Sequence, residues 1–288
     1  MTTQTQEFAL QTWWNERNQW VEEALERSLP AAGPYLGNVG EAMRYCIFSG
    51  GKRFRPILAI GAAEALGKTA EVAMSAAIAY EMIHCFSLAH DDLPCMDDDD
   101  ERRGKPTAHK VFGEAGALLA GDGLSIWAFH EISKLPAGVP AEVGLRLVQD
   151  LALASGHPGM VGGQVIDMAA REVEMTHQFL ESIHRAKTGA LIRGSVRAGA
   201  MLAGADESQL ESLSRYGELV GLVFQMTDDI LDAEEDPEEI SYPALLGMEE
   251  TKRLVRQATL EAHQALESFG PSADPLRALA TFLETRKG

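Results

Sequence analysis

Residues 70–92 read AEVAMSAAIAYEMIHCFSLAHDD. Apolar side chains recur at three- and four-residue steps, the period of an α-helix. The run ends in Asp91 and Asp92, and Pro94 interrupts the regular ladder just beyond them. An apolar helix therefore carries two carboxylates to the point where the chain leaves the helix. Asp97 is six positions past Asp91, about 240° round on a straight helix, so it can join Asp91 only because the chain departs from helix near Pro94. His84, Ser87 and Asp91 follow one another along one face of this helix.

The rest of the chain reads in the same way. Ala, Leu, Glu, Met and Arg dominate, and continuous β-branched runs are missing. Asp206 to Gln209 can open a helix that continues to about Asp232, and Leu254 to Leu266 repeats the helical period. Breaks are expected at Pro30 to Gly33, Gly50-Gly51, Gly104 to Pro106, Pro136 to Pro140, Gly156 to Gly163, Gly204 and Gly270 to Pro275. Nearly twelve helices without a strand signal predict an all-α bundle, in which sites form centrally between facing helices. No long polar linker divides the 288 residues, so residues 1–288 are taken as one domain.

With 45% hydrophobic and 24% charged residues, the composition excludes disorder, collagen and a disulfide scaffold. Residues 1–20 lack a basic stretch followed by an apolar one, so no secretory leader is expected. The longest uncharged stretch, Leu151 to Ile166, is short for a membrane span and broken by glycines. Cys46, Cys85 and Cys95 are too few and scattered for a disulfide framework, which fits a reducing cytoplasm.

The net charge of −18 is local. Asp91 to Glu101 holds seven acids and Asp228 to Glu239 holds eight, with no Lys or Arg in either window. Setting these 15 aside from 43 acids leaves 28, nearly balanced by 25 bases. A basic nucleic-acid face is absent, and two carboxylate clusters ask for cations. In the second, Asp228, Asp229 and Asp232 stand as DDILD, expected on one helix face with Gln225 one turn earlier. Such like charges repel by roughly 0.2–0.5 kcal/mol per pair in an isolated helix, a cost a divalent cation offsets. The alternative is a solvated acidic helix end.

Basic groups flank the acids. Arg102-Arg103 directly follow the first cluster and suit bidentate contact with phosphate, local ion pairing to Asp98–Glu101 being the alternative. In Gly50-Gly51-Lys52-Arg53-Phe54-Arg55-Pro56 the glycines let backbone N–H groups approach an anion while Lys52, Arg53 and Arg55 supply charge. The spacing is not that of a Walker loop. Lys187-Thr188-Gly189, after a helical stretch, is a further phosphate-capable group. Gly159 to Gln164 reads as close helix packing with Gln164 facing a cavity, or equally as a plain helix break. No GxSxG, HExxH or GxGxxG motif occurs, and His90, His109, His130, His157, His177, His184 and His263 are scattered.

Taken together, GGKRFRP, HCFSLAHDDLPCMDDDDERRGKPTAH, GMVGGQVIDM, KTGALI, FQMTDDILD and YPALLG resemble the trans-prenyltransferases, the polyprenyl diphosphate synthases, in order and spacing over residues 50–247. The resemblance implies an all-α homodimer with a central cavity between the two aspartate motifs. It implies that Gly51, Lys52, Arg55, His84 and Arg103 bind the diphosphate of isopentenyl diphosphate. Arg102, Lys187, Thr188 and Gln225 would contact the allylic diphosphate. Asp91, Asp97 and Asp228 would ligate Mg²⁺, with Asp92 and Asp232 in support and three ions present when substrate is bound. Asp91, Asp97, Arg102, Lys187, Thr188, Gln225 and Asp228 form the implied catalytic set.

The implied reaction is ionisation of an allylic diphosphate, attack by the isopentenyl double bond and loss of a proton. Phe86, about 7.5 Å below Asp91 at 1.5 Å per residue, would floor the cavity while Ser87 leaves room beside it. In the family a ring here goes with fifteen-carbon products, so farnesyl diphosphate is expected, with geranylgeranyl or geranyl diphosphate as alternatives. A terpene cyclase would not need Lys52, Arg55 and Arg103 for a second diphosphate. A non-enzymatic cation-binding protein would need neither the arginines nor the cavity. One feature departs from the family: residues 233–241 lead straight to Tyr242-Pro243 without the longer, lysine-bearing loop. How the allylic site closes is therefore left open by the sequence.

Overall fold

The computed structural model describes residues 9–29, 39–169, 175–235 and 241–286. Among them run thirteen α-helices: α1 (Leu10–Ser28), α2 (Val39–Phe48), α3 (Phe54–Ala65), α4 (Ala70–Asp91), α5 (Ala108–Ile132), α6 (Ala141–Ser155), α7 (Met160–Ala169), α8 (His177–His184), α9 (Ala190–Leu202), α10 (Glu207–Glu235), α11 (Tyr242–Leu246), α12 (Met248–Ala265) and α13 (Asp274–Thr285). The all-α expectation holds, and helices α4, α10 and α12 fall where the periodicity put them. The expected break at Pro30 to Gly33 lies outside the described residues.

Two local readings change. Gly104 to Pro106 does not merely break the chain. Gly104, at φ +72°, turns a short antiparallel ribbon of β1 (Glu101–Arg102) and β2 (Lys105–Pro106), with Arg102 opposite Lys105. Lys187-Thr188-Gly189 follows helix α8 as expected, but not as a separate turn. It lies in a π-helical turn, Arg185–Gly189, that joins α8 to α9 without interruption.

Helix α4 sits at the centre, packed against α3, α5 and α9. Its apolar positions on all sides explain this place: Ile78, Tyr80, Met82 and Ile83 are buried. Each such side chain removed from water contributes roughly 1.5–3 kcal/mol. Ala73, Ala76, Ala77 and Ala79 keep the helix slim. It is the one described helix long and apolar enough to cross a bilayer, and most of it is buried inside the protein. Behind it α3 and α9 touch at Gly199, where a Cβ would fall 2.0 Å from the Ala59 carbonyl oxygen. Among the described residues the main apolar core runs from Trp13 on α1 to Leu283 on α13, with a small second cluster of Leu93, Ala108 and Ala117. The Trp14 indole N–H donates to the Lys52 carbonyl at 3.0 Å, tying α1 to the basic loop before α3.

Candidate active site

Helix α4 ends at Asp91, and the chain then folds back on itself. The Met96 N–H donates to Leu93 O (2.8 Å) and the Asp97 N–H to Asp91 O (2.9 Å). Asp97 thus returns to Asp91, as the position of Pro94 suggested. Burial pushes the Asp91 carboxyl up to about 6, and Asp97 and Asp92 push the same way against Lys187 and Arg102. Asp92 differs: it is only 5% exposed and accepts from Arg102 Nε at 2.6 Å. Arg102 also reaches Asp99 at 3.1 Å, so local ion pairing, the alternative reading, describes it here. A separate group, Asp98, Asp100 and His109, brings its ligand atoms within 4.8 Å of one another. Lys110 already lies 2.6 Å from Asp100.

The second motif lies on α10, and its three aspartates do not share one face. Adjacent residues diverge by about 100° on a helix. Asp228 accepts from Arg286 Nη2, and its carboxyl is pushed up by burial, with Arg286 opposing and Asp232 adding. Asp229 instead accepts the Tyr242 backbone N–H at 2.8 Å and lies 3.9 Å from His184. Asp228 and Asp232, one turn apart, remain electrostatic neighbours. Gln225, one turn earlier, is half-buried.

Two cavities open beside these motifs. The first, of about 410 Å³, gathers Gly51, Lys52, Arg55, His84 and Arg103, five residues the sequence assigned to one diphosphate, and adds Arg286. Gly51, at φ +138°, holds a backbone conformation that other residues rarely adopt, and a Cβ here would displace the Arg103 guanidinium, 2.7 Å away at Nη1. Arg103 donates to the Gly50 carbonyl. Arg55 Nε is buried without a partner, and burial lowers this guanidinium's pKa. Desolvation and the charges of Arg55 and Arg103 hold His84 well below the usual histidine range, so it is neutral. An orphaned buried cation beside further cations is a site short of an anion.

Arg53 is the correction in this loop. It was expected to supply charge to the anion, but it is 2% exposed and left-handed at φ 52°. Its guanidinium bonds Glu22 (2.6 Å), Glu81 (3.0 Å) and Ile47 O (2.7 Å), holding the loop from below.

The second cavity, of about 340 Å³, is lined by Asp91, Lys187, Thr188, Gln164, Phe86 and Ser87. Met160, Val161, Val165 and Met168 give it apolar walls. Arg55 and His84 line both cavities and form the partition between them. Close packing is the right reading of the glycine-rich stretch: α7 starts at Met160, and a Cβ on Gly163 would fall 2.3 Å from Lys187 N. That approach presents Gln164 to the cavity beside the π turn, a distortion common at functional sites. Lys187 Nζ is held 2.6 Å from Asp167, and its charge reaches Asp91. Ser87 Oγ donates to His84 O at 2.9 Å, leaving space beside the Phe86 ring.

Sequence reasoning did not assign roles to Arg286 or Asp167. Asp167 closes the GMVGGQVID motif one turn after Gln164, which was the available signal. Arg286 is 58 positions from Asp228 and carried none.

A family model described as polyprenyl synthetase matches residues 37–264. A farnesyl diphosphate synthase from Geobacillus stearothermophilus is 46% identical over 257 residues, 84% of this chain and 86% of the relative. A chloroplastic geranylgeranyl pyrophosphate synthase from Catharanthus roseus is 43% identical over 281 residues, 92% of this chain and 78% of the relative. Among solved structures, an FPP/GFPP synthase from Zymomonas mobilis superposes with a TM-score of 0.91 at 38% identity, covering 95% of this chain and 98% of its own. The chain belongs to the polyprenyl synthetase family, and so to the prenyltransferases.

Proposed function

We propose that the chain joins isopentenyl diphosphate to dimethylallyl and then geranyl diphosphate, releasing farnesyl diphosphate. The observation that carries this is the pair of cavities on either side of Arg55 and His84, one cationic and one opening beside Asp91. Isopentenyl diphosphate takes the first cavity, its diphosphate on Lys52, Arg55 and Arg103. The allylic chain takes the second, its diphosphate toward Lys187 and Asp91 and its tail toward Phe86.

The residues fit a divalent metal. Asp91 and Asp228 are carboxyls whose pKa burial and neighbouring acids push up, against Lys187, Arg102 and Arg286, as clusters of acids with room for added positive charge do. Asp91, Asp97 and Asp228 would hold Mg²⁺, with Asp232 in support and Asp92 acting through Arg102. A divalent metal held by these carboxylates would supply positive charge to the departing diphosphate. Lys187 and Arg102 add fixed charge at the same end. Thr188 and Gln164 offer dipoles to the allylic cation, and the methionine and valine walls exclude water from it. The proton lost after condensation goes to the departing diphosphate, so no side-chain base is required.

Fifteen carbons is the reading that Phe86 favours, because a ring limits the depth of the second cavity. The likeness to the geranylgeranyl pyrophosphate synthase supports a twenty-carbon alternative. Chromatography of the products from dimethylallyl and isopentenyl diphosphates decides between them. A main product of twenty carbons overturns the farnesyl assignment, and none at all overturns the activity.

The same reading implies a homodimer. Leu119 (55% exposed) and Ile126 (70%) on α5, Leu153 (59%) on α6 and Val165 (62%) on α7 leave a broad apolar face on neighbouring helices. Such a face suits a second copy of the chain. Sedimentation should give twice the 31.2 kDa chain mass. A monomer at micromolar concentration would contradict it.

A further inference from the structure

The arginine that the first cavity takes from the ribbon stands on a strained turn. Arg103 and Gly104, both at positive φ (55° and 72°), are the two residues that join β1 to β2. Only the glycine takes that conformation without steric cost. The ribbon pairs two residues on each side, Glu101 with Pro106 and Arg102 with Lys105, and so short a hairpin is marginal by itself. Its base is fixed by Thr107, whose N–H donates to Asp100 O at 3.0 Å and whose hydroxyl donates to Asp99 O at 2.8 Å. The rest of it leans on the end of α2. The Tyr45 hydroxyl donates to Pro106 O at 2.7 Å, Lys105 Nζ reaches Phe48 O at 3.5 Å, and Arg103 Nη1 donates to Gly50 O. Two of these three donors belong to the ribbon. Tyr45 is the one mounted on a helix, and its ring meets Phe112 of α5 edge-on, 5.5 Å between centroids.

We propose that Tyr45 is a positioning residue for the diphosphate of the first cavity. Its hydroxyl holds β2 against the end of α2, and so keeps the Arg103 guanidinium beside Gly51 and Lys52. This rests on the two-diphosphate reading above. Arg103 needs such help and Arg102 does not. Arg102 is fixed directly, by Asp92 at 2.6 Å and Asp99 at 3.1 Å. Among the described residues no carboxylate does the same for Arg103, which leans on the Gly50 carbonyl instead. Helix α2 also runs straight into Gly50-Gly51-Lys52, so one helix end sets both the basic loop and the ribbon that faces it. A guanidinium already in place binds an anion without first paying to order the ribbon. Without the Tyr45 hydroxyl, that ordering cost falls on isopentenyl diphosphate.

Steady-state kinetics on the full chain, arranged as a double-mutant cycle, tests this. Tyr45→Phe keeps the ring against Phe112 and removes only the hydroxyl. It should raise KM for isopentenyl diphosphate about fivefold, the size of one neutral hydrogen bond. KM for dimethylallyl diphosphate and kcat should change clearly less, and the melting temperature should move by a few degrees at most. Arg103→Ala should raise KM for isopentenyl diphosphate roughly tenfold or more. Adding Tyr45→Phe to Arg103→Ala should bring no further loss, because the hydroxyl acts through that guanidinium. A merely structural hydroxyl would instead shift both substrates together and multiply the Arg103→Ala loss. Either of those results, or an unchanged KM for isopentenyl diphosphate in Tyr45→Phe, overturns the role of Tyr45 and leaves the cavity assignment standing. An Arg103→Ala protein that handles isopentenyl diphosphate like the wild type overturns the assignment of the first cavity, and the role of Tyr45 with it.

Discussion

The two cavities share Arg55 and His84 yet are built for different jobs. The first is walled by Lys52, Arg55 and Arg103 and by the rings of Trp14, Phe54 and Phe224. The second sets Asp91 against Lys187 at one end and spreads methionine and valine below. A diphosphate entering the first meets positive charge already in place and needs only to displace water. A diphosphate entering the second meets a carboxylate as well as a lysine, so it binds well only with added cations. Under the proposed function, charge would separate a substrate that keeps its diphosphate from one that must lose it.

The largest effect should follow from removing the carboxylates of the metal-dependent side. Asp91→Ala or Asp228→Ala should lower kcat by about three orders of magnitude, as loss of a main electrostatic stabiliser does. Excess chelator should abolish turnover. Folding should survive, since burial already disfavours the Asp91 and Asp228 charges in the metal-free protein. Isopentenyl diphosphate should still bind the first cavity in Asp91→Ala. Full turnover in chelator, or loss of that binding along with activity, would break the distinction between the cavities.

A smaller effect separates the cavities by substrate. Arg55→Ala should raise KM for isopentenyl diphosphate more than for the allylic diphosphate, and Lys187→Ala should do the reverse. Each should cost about 1.5–3 kcal/mol, or roughly tenfold to hundredfold. Arg55 stands in the partition, so its effect on the allylic side measures how sharply the two cavities are divided. Equal effects of both substitutions on both substrates would erase the division.

How much of this was legible depended on how local each feature is. The helical period of residues 70–92 and the position of Pro94 were enough to place Asp91 at a helix end and bring Asp97 back to it. The basic loop, Arg103 and Lys187-Thr188 line the two cavities, because each is a short run of fixed chemistry, whereas Arg102 lines neither and pairs with Asp92 and Asp99. What failed was set across long separations. Arg53 looks like its neighbour Arg55 in sequence, but a left-handed backbone turns it onto Glu22 and Glu81, 31 and 28 positions away. Asp92 looks like Asp91 in sequence but accepts from Arg102 Nε, so any support it gives the cluster runs through that arginine. Asp229 was placed with Asp228 by simple spacing, whereas the Tyr242 N–H claims it. The π turn adds one residue to a single helical turn, too small a change for a periodicity to register. The loop expected to be short after Asp232 includes residues 236–240, which lie outside the described residues.

The smallest and most specific effect concerns the depth of the second cavity. Phe86 lies on α4 one residue short of Ser87, which stands one turn below Asp91. Its ring is half-buried, lines the cavity and meets the His90 ring edge-on, 5.2 Å between centroids. A chain growing from the diphosphate end at Asp91 must run down α4 toward this ring. Fifteen carbons should fill the space above it, and a further five-carbon unit should collide with it. Phe86→Ala removes the ring while Ser87, bonded to its own helix, already leaves room beside it. The product ratio of twenty to fifteen carbons should then rise about tenfold, equivalent to about 1.4 kcal/mol of relieved collision. Because Phe86 is only half-buried, the stability loss should stay below the about 3–5 kcal/mol of a fully buried Phe→Ala change, and a melting curve checks this before products are read. A folded Phe86→Ala protein that still stops at fifteen carbons would show that the floor is made elsewhere, with Met160 and Met168 on α7 the next side chains to shorten.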